Sequence, residues 1–163
     1  PAQGRQLVTK PRGKGGGAAR GKDDGRGRKR PATRFLFDAC ALDRLLDDGE
    51  AAGELAGRRD LRLLVAPVVD AQLAATPDEA RRAELLALAG ELFARVAAPP
   101  PEPGRPAGDA ADRAILEAAR TAGAVLVTDD RKLLEIAARE GADALAWREF
   151  RRRVVLAGPK RAK

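Results

Sequence analysis

Two stretches of this chain share a pattern that limits its fold more than any other feature. Phe35-Leu36-Phe37 runs straight into Asp38, and Ala124-Val125-Leu126-Val127 runs through Thr128 into Asp129 and Asp130. A short apolar run ending in a carboxylate, with helical spacing after it, is how a buried parallel strand carries a charge to the C-terminal edge of its sheet. Two such strands in one sheet bring Asp38 and Asp130 to the same rim.

The segments between them alternate in the same way. The pattern predicts a strand over 34–38, helical pieces over 42–46 and 50–55, and a strand over 61–66. Pro67 can open the next helix, because its missing N–H costs nothing at the first helical position. Thr76-Pro77-Asp78-Glu79 reads as a capping box, with Thr76 as N-cap, Pro77 at the first position and Glu79 closing the box. The helix it starts runs to about Phe93. Residues 99–106, with five prolines, form a stiff connector without helix. Asp109 or Asp112 opens a helix that stops near Gly123. A strand over 124–127, a helix over 131–140, a short strand over 142–146 and a helical segment over 147–153 close the domain. This alternation predicts an α/β fold: a parallel sheet with helices on both faces, a three-layer α/β/α sandwich.

The charge is unevenly placed. Residues 1–34 hold 11 Lys+Arg against 2 Asp, whereas the other 129 residues hold 20 Lys+Arg against 22 Asp+Glu. The net +7 therefore belongs to the N-terminal stretch. Residues 1–33 are too poor in large apolar side chains to offset the entropy of ordering, and read as a disordered basic arm. Arg26, Arg28, Lys29 and Arg30, with Arg34 beside them, are candidates for phosphate contacts. The expected division is arm 1–33, domain 34–155 and a short basic tail 156–163.

The chain has no histidine and one cysteine. Catalytic triads, histidine bases, intramolecular disulfides and thiolate zinc sites are thereby excluded. Cys40, next to Asp38, reads as a small buried residue. No apolar run reaches the ~18 residues of a membrane span, so no membrane partner is expected. The lack of a secretory pattern and the single thiol suit a reducing cytoplasm.

The chemistry left is that of carboxylates holding a divalent metal. Asp38, Asp112 and Asp130 are the candidate ligands, with Asp109 and Asp129 as neighbours that would serve in their place. Mg²⁺ favours such oxygen donors, and a bound metal activates water and stabilises charge on phosphate. Each acid also has a structural reading: Asp109 or Asp112, and Asp129 or Asp130, as helix N-caps. Asp38 is the hardest to dismiss, because a carboxylate directly after Phe-Leu-Phe must be solvated, paired or metal-bound.

Three segments resemble the PIN-domain nucleases, a family that includes the VapC-type toxins of toxin–antitoxin pairs. Residues 35–42 look like the family's first strand and first catalytic aspartate, Asp38. Residues 110–119 look like its third acidic motif, with Asp112 followed by Ile115 and a small residue, Ala118 or Ala119, beyond. Residues 125–133 look like its closing Thr-x-Asp motif, Thr128 and Asp130. The resemblance covers about residues 34–153. It implies about five parallel strands, Mg²⁺- or Mn²⁺-dependent cleavage of RNA and, by analogy with the toxins, a homodimer and a small antitoxin partner. One departure stands out. The family's second acid is a glutamate in a Val-x-x-Glu-Leu context, and here Val69-Asp70-Ala71-Gln72-Leu73 places Gln72 there, a weak uncharged ligand. Asp70 lies about 200° round an ideal helix from that position. The alternatives are a catalytically weakened PIN-like nucleic-acid-binding module, or an unrelated receiver-type α/β domain, which fits less well because it expects paired acids after strand one.

Overall fold

The computed structural model describes residues 30–97 and 107–159. All the regular elements lie within the unit Pro31–Lys163. The first strand, β1 (Thr33–Phe37), is its centre: Phe35, Leu36 and Phe37 are buried on alternating faces. It pairs in parallel with β2 (Leu61–Val65) on one side and β4 (Val125–Val127) on the other. The two-residue strands β3 (Ala94–Arg95) and β5 (Ala144–Leu145) flank these, giving the order β3-β2-β1-β4-β5, all parallel. Because β1 and β4 are neighbours, with Phe37 opposite Val127, the residues that follow them emerge at one rim.

The helices are α1 (Ala39–Asp47), α2 (Gly49–Ala56), α3 (Pro67–Ala74), α4 (Glu79–Leu92), α5 (Ala107–Ala122), α6 (Arg131–Arg139) and α7 (Trp147–Phe150), the last running into a π-helical segment Arg151–Val155. On one sheet face Phe35 and Phe37 meet Phe150 of α7 edge to face, at ring separations of 5.0 and 5.1 Å. Phe93 and Trp147 extend that cluster. On the other face lies Leu36, and Arg34, of the same parity, donates to the Ala122 carbonyl at the end of α5. Helices thus cover both faces, which makes the three-layer α/β/α sandwich expected from the alternation.

Several boundaries differ from the sequence expectation. Helix α1 begins at Ala39, three residues early, because Asp38 caps it. Helix α4 is capped by Asp78, whose carboxylate accepts from the Arg81 N–H at 2.7 Å, and not by Thr76. An aspartate one residue from the first turn displaces a threonine three residues away. Helix α5 is under way by Ala107, so neither Asp109 nor Asp112 is its N-cap, and Asp112 lies in the second turn. Gly123 and Gly141 end α5 and α6 at φ of 59° and 69°, the left-handed conformation that glycine adopts most cheaply. The proline-rich connector of residues 99–106 falls outside the described residues, as do the basic arm before Arg30 and the end of the tail. Among the described residues, no helix is long and apolar enough to cross a membrane.

Candidate active site

Asp38 leaves β1 at the C-terminal rim and is 4% exposed. Both its oxygens are engaged. Oδ1 accepts the Ala41 N–H at 2.8 Å, capping α1, and Oδ2 accepts the hydroxyl of Thr128. Thr128 leaves the neighbouring β4 and is fully buried. Its oxygen also accepts the Asp130 N–H at 3.0 Å. One hydroxyl therefore fixes the first acid and the backbone of the last, and ties the two strand ends together. The sequence reading quoted Thr128 as part of a motif but gave it no task. That a hydroxyl sits between two acids becomes visible only once β1 and β4 are adjacent.

Asp130 caps α6, its Oδ1 accepting from the N–H groups of Lys132 and Leu133 at 2.9 and 3.3 Å. Of the two aspartates read as possible caps of this helix, Asp130 is the one that caps it. Asp129 does something else: its Oδ1 accepts the Trp147 N–H at 2.9 Å, and its Oδ2 pairs with Arg44 at 3.1 Å. Asp109 is exposed and paired with Lys132. Both reserve candidates are thus neutralised by a cation, whereas Asp38 and Asp112 have no ion-pair partner among the described residues.

The electrostatics separate the acids in the same way. Burial raises Asp38 to about 6, against the lowering effect of Thr128 and the Ala41 N–H, and the charges of Asp130 and Asp129 add to the rise. Asp112 is also raised, by burial first and then by Asp130. Asp130 is the member common to both and lies within electrostatic reach of each. Asp38, Asp130 and Asp112 therefore form a chain of carboxylates centred on Asp130. Among the described residues, no three acidic or cysteine side chains converge closely enough to form a ligand cluster. The donor set nonetheless fits a hard divalent cation: all oxygen, with like charges acting on both Asp38 and Asp112, although Lys132, the partner of Asp109, partly offsets the charge at Asp112.

Cys40 is exposed at the start of α1, and not buried as expected. Desolvation, then the charge of Asp38 and its neighbours, pushes its thiol up to about 11. It is consequently a protonated thiol and a poor nucleophile at neutral pH. Gln72 is exposed on α3, where Val69 and Leu73 take the buried positions. Asp70 faces β3, held by Arg95 through two contacts of 3.0 and 3.2 Å. Of the basic candidates, Arg30 and Arg34 are described and exposed, and Arg26, Arg28 and Lys29 lie outside the described residues.

No family model and no curated protein matches this chain. Solved structures do. A domain of a functionally unknown protein from Methanocaldococcus jannaschii superposes with a TM-score of 0.50 at 17% identity, covering 71% of this chain and 91% of that one. The likeness shows the fold. A PilT N-terminus domain protein from the hyperthermophilic archaeon Sulfolobus solfataricus superposes at 0.49 and 12% identity, covering 80% and 98%. At that level the second superposition adds no argument of its own.

Proposed function

We propose that this chain is a metal-dependent endoribonuclease of the PIN-domain type, cleaving RNA phosphodiester bonds at the β1–β4 rim. The observation that carries this reading is a pair of carboxylates there without an ion-pair partner among the described residues: Asp38 and Asp112, both raised in pKa, with Asp130 acting on each. Acids that act on one another at one rim, carried on three segments in the order of the family's motifs, support a hydrolytic metal site over a structural one. Asp38, Asp112 and Asp130 are the residues that would hold Mg²⁺ or Mn²⁺. The ion would supply an acidified water and stabilise charge on the phosphate. Thr128 holds Asp38 in place for that task and fixes the Asp130 backbone beside it. A small antitoxin and a homodimer belong to this reading as proposals, as does a role for the basic arm in gripping RNA. With Mn²⁺ the full chain should cleave a mixed-sequence RNA, and EDTA or Asp38→Asn should stop it. Cleavage unchanged in the folded Asp38→Asn variant would sink the assignment.

A second reading has its own support. Gln72 is uncharged and exposed, and Asp70 is committed to Arg95. α3 thus brings no free carboxylate to the rim, which favours a PIN-like module that binds nucleic acid without cutting it. RNA binding in EDTA with no Mn²⁺-dependent cleavage would select it. Under either reading, removing residues 1–30, with ten Lys+Arg and two Asp, should weaken RNA binding and flatten its salt dependence. The melting temperature of the remaining domain should hardly move.

A further inference from the structure

On the sheet face opposite the phenylalanine cluster, the β2–β3 half carries an open groove of about 250 Å³. Arg34, Arg62, Leu64, Ala94, Arg95 and Ala122 line it, together with Val96. Arg34 and Arg62 are register partners on adjacent parallel strands, so their backbones lie roughly 4.8 Å apart and both side chains leave the same face. Each is exposed, and neither forms an ion pair with a described residue. Arg34 spends one N–H on the Ala122 carbonyl at 3.0 Å. Arg62 makes no side-chain hydrogen bond among the described residues. Arg95, at the far side, is neutralised by Asp70.

We propose that this groove is a phosphate-binding track for the backbone of a single-stranded RNA, with Arg34 and Arg62 as its two contacts. The inference rests on the nucleic-acid reading above but not on catalysis. Two guanidiniums side by side, without an ion pair among the described residues, match the forked geometry of phosphate recognition. The floor is small and aliphatic, Leu64, Ala94 and Val96, with no ring on which a base could stack. The groove therefore suits a backbone and not a nucleobase. Four residues of extended strand separate Arg34 from Asp38, roughly 13 Å. The track and the acidic rim thus lie within two or three nucleotides of each other. Bound phosphate here would hold a strand in register with the rim without competing for its carboxylates.

The test uses the full chain in EDTA, where no cleavage complicates binding. Anisotropy of a fluorescent 12-nucleotide oligouridylate is followed across a KCl series for the parent, Arg62→Gln, Arg34→Gln, the double variant and Arg148→Gln. Arg148 is exposed on α7, the helix of the opposite face, and controls for loss of one charge. Each groove variant should weaken binding several-fold at low salt, and the slope of log affinity against log salt should fall by about 0.7 per lost contact, about 1.4 for the double variant. Arg148→Gln should leave the slope within error of the parent. Should Arg34→Gln unfold through loss of its bond to α5, Arg62→Gln alone decides, since that side chain holds nothing in place. An unchanged slope in Arg62→Gln, or an equal fall in Arg148→Gln, overturns the proposal. So does a groove-dependent loss of polyglutamate binding with RNA binding intact, which would make the groove a site for acidic protein. Absence of cleavage in Mn²⁺ together with the expected slope changes would remove the nuclease reading and leave the track standing.

Discussion

The two halves of the sheet's C-terminal rim are built alike and charged differently. Each has a strand running into a helix with an aspartate near the junction: Asp38 between β1 and α1, and Asp70 in the first turn of α3 after β2. On the β2–β3 side the acid is answered. Arg95 grips Asp70 with two nitrogens and donates a further bond to the Ala89 carbonyl near the end of α4. On the β1–β4 side the acids accumulate, and among the described residues Asp129 and Asp109, at the margins, are the ones that pair with a cation. Paired aspartates hold elements together. Asp38 and Asp112 have no such partner among the described residues, and the burial and like charge that raise both are a cost to the metal-free protein.

The largest effect separating the two halves should be on cleavage. Asp38→Asn removes a charged ligand and should lower Mn²⁺-dependent RNA cleavage by on the order of a thousandfold. Asp70→Asn should change the rate by no more than a few-fold. Equal losses would erase the distinction between the two acids.

Stability should move in opposite directions. In the metal-free fold Asp38 titrates at about 6 against an ordinary value of 3.8, so folding favours its protonated form. That contribution is whole below about pH 4 and is lost as the pH rises through 6, above which the buried charge destabilises the fold. Asn does not ionise and remains a good N-cap. In EDTA, Asp38→Asn should therefore be more stable than the parent by about 1–3 kcal/mol at pH 8, with the gain vanishing toward pH 4. Asp70→Asn should lose no more than about 1 kcal/mol, the usual range for a partly exposed ion pair. Denaturant melts at both pH values check the pair.

Much of this contrast was legible in the chain. An apolar run ending in a carboxylate is a local signal, and two such runs suffice to put Asp38 and Asp130 on one rim. The partners of the other acids were not legible. Arg44 with Asp129, and Arg95 with Asp70, are 85 and 25 residues apart, and nothing local marks them. Strand β3 has two residues and no period to detect. Cys40, read as a small hydrophobe, was expected inside, yet the helix starting at Ala39 turns it outward. Thr76 satisfied the rule for a cap, but Asp78 satisfied it nearer the first turn.

A smaller effect would sharpen the comparison at its border. Gln72 is exposed on α3, two residues from Asp70. Gln72→Glu should lower the Mn²⁺ concentration for half-maximal cleavage by about two- to fivefold if an added charge there reaches the ion. An unchanged value would confine the site to the β1, β4 and α5 acids.

The proposed nuclease function requires that Asp38, Asp112 and Asp130 of the β1–β4 rim hold a divalent cation. Calorimetric titration with Mn²⁺ at neutral pH, on the full chain beside Asp38→Asn and Asp70→Asn, tests it most directly. The expected result is saturable binding in the parent, retained in Asp70→Asn and abolished in Asp38→Asn, with all three folded by circular dichroism. Identical heats in the parent and Asp38→Asn would contradict it.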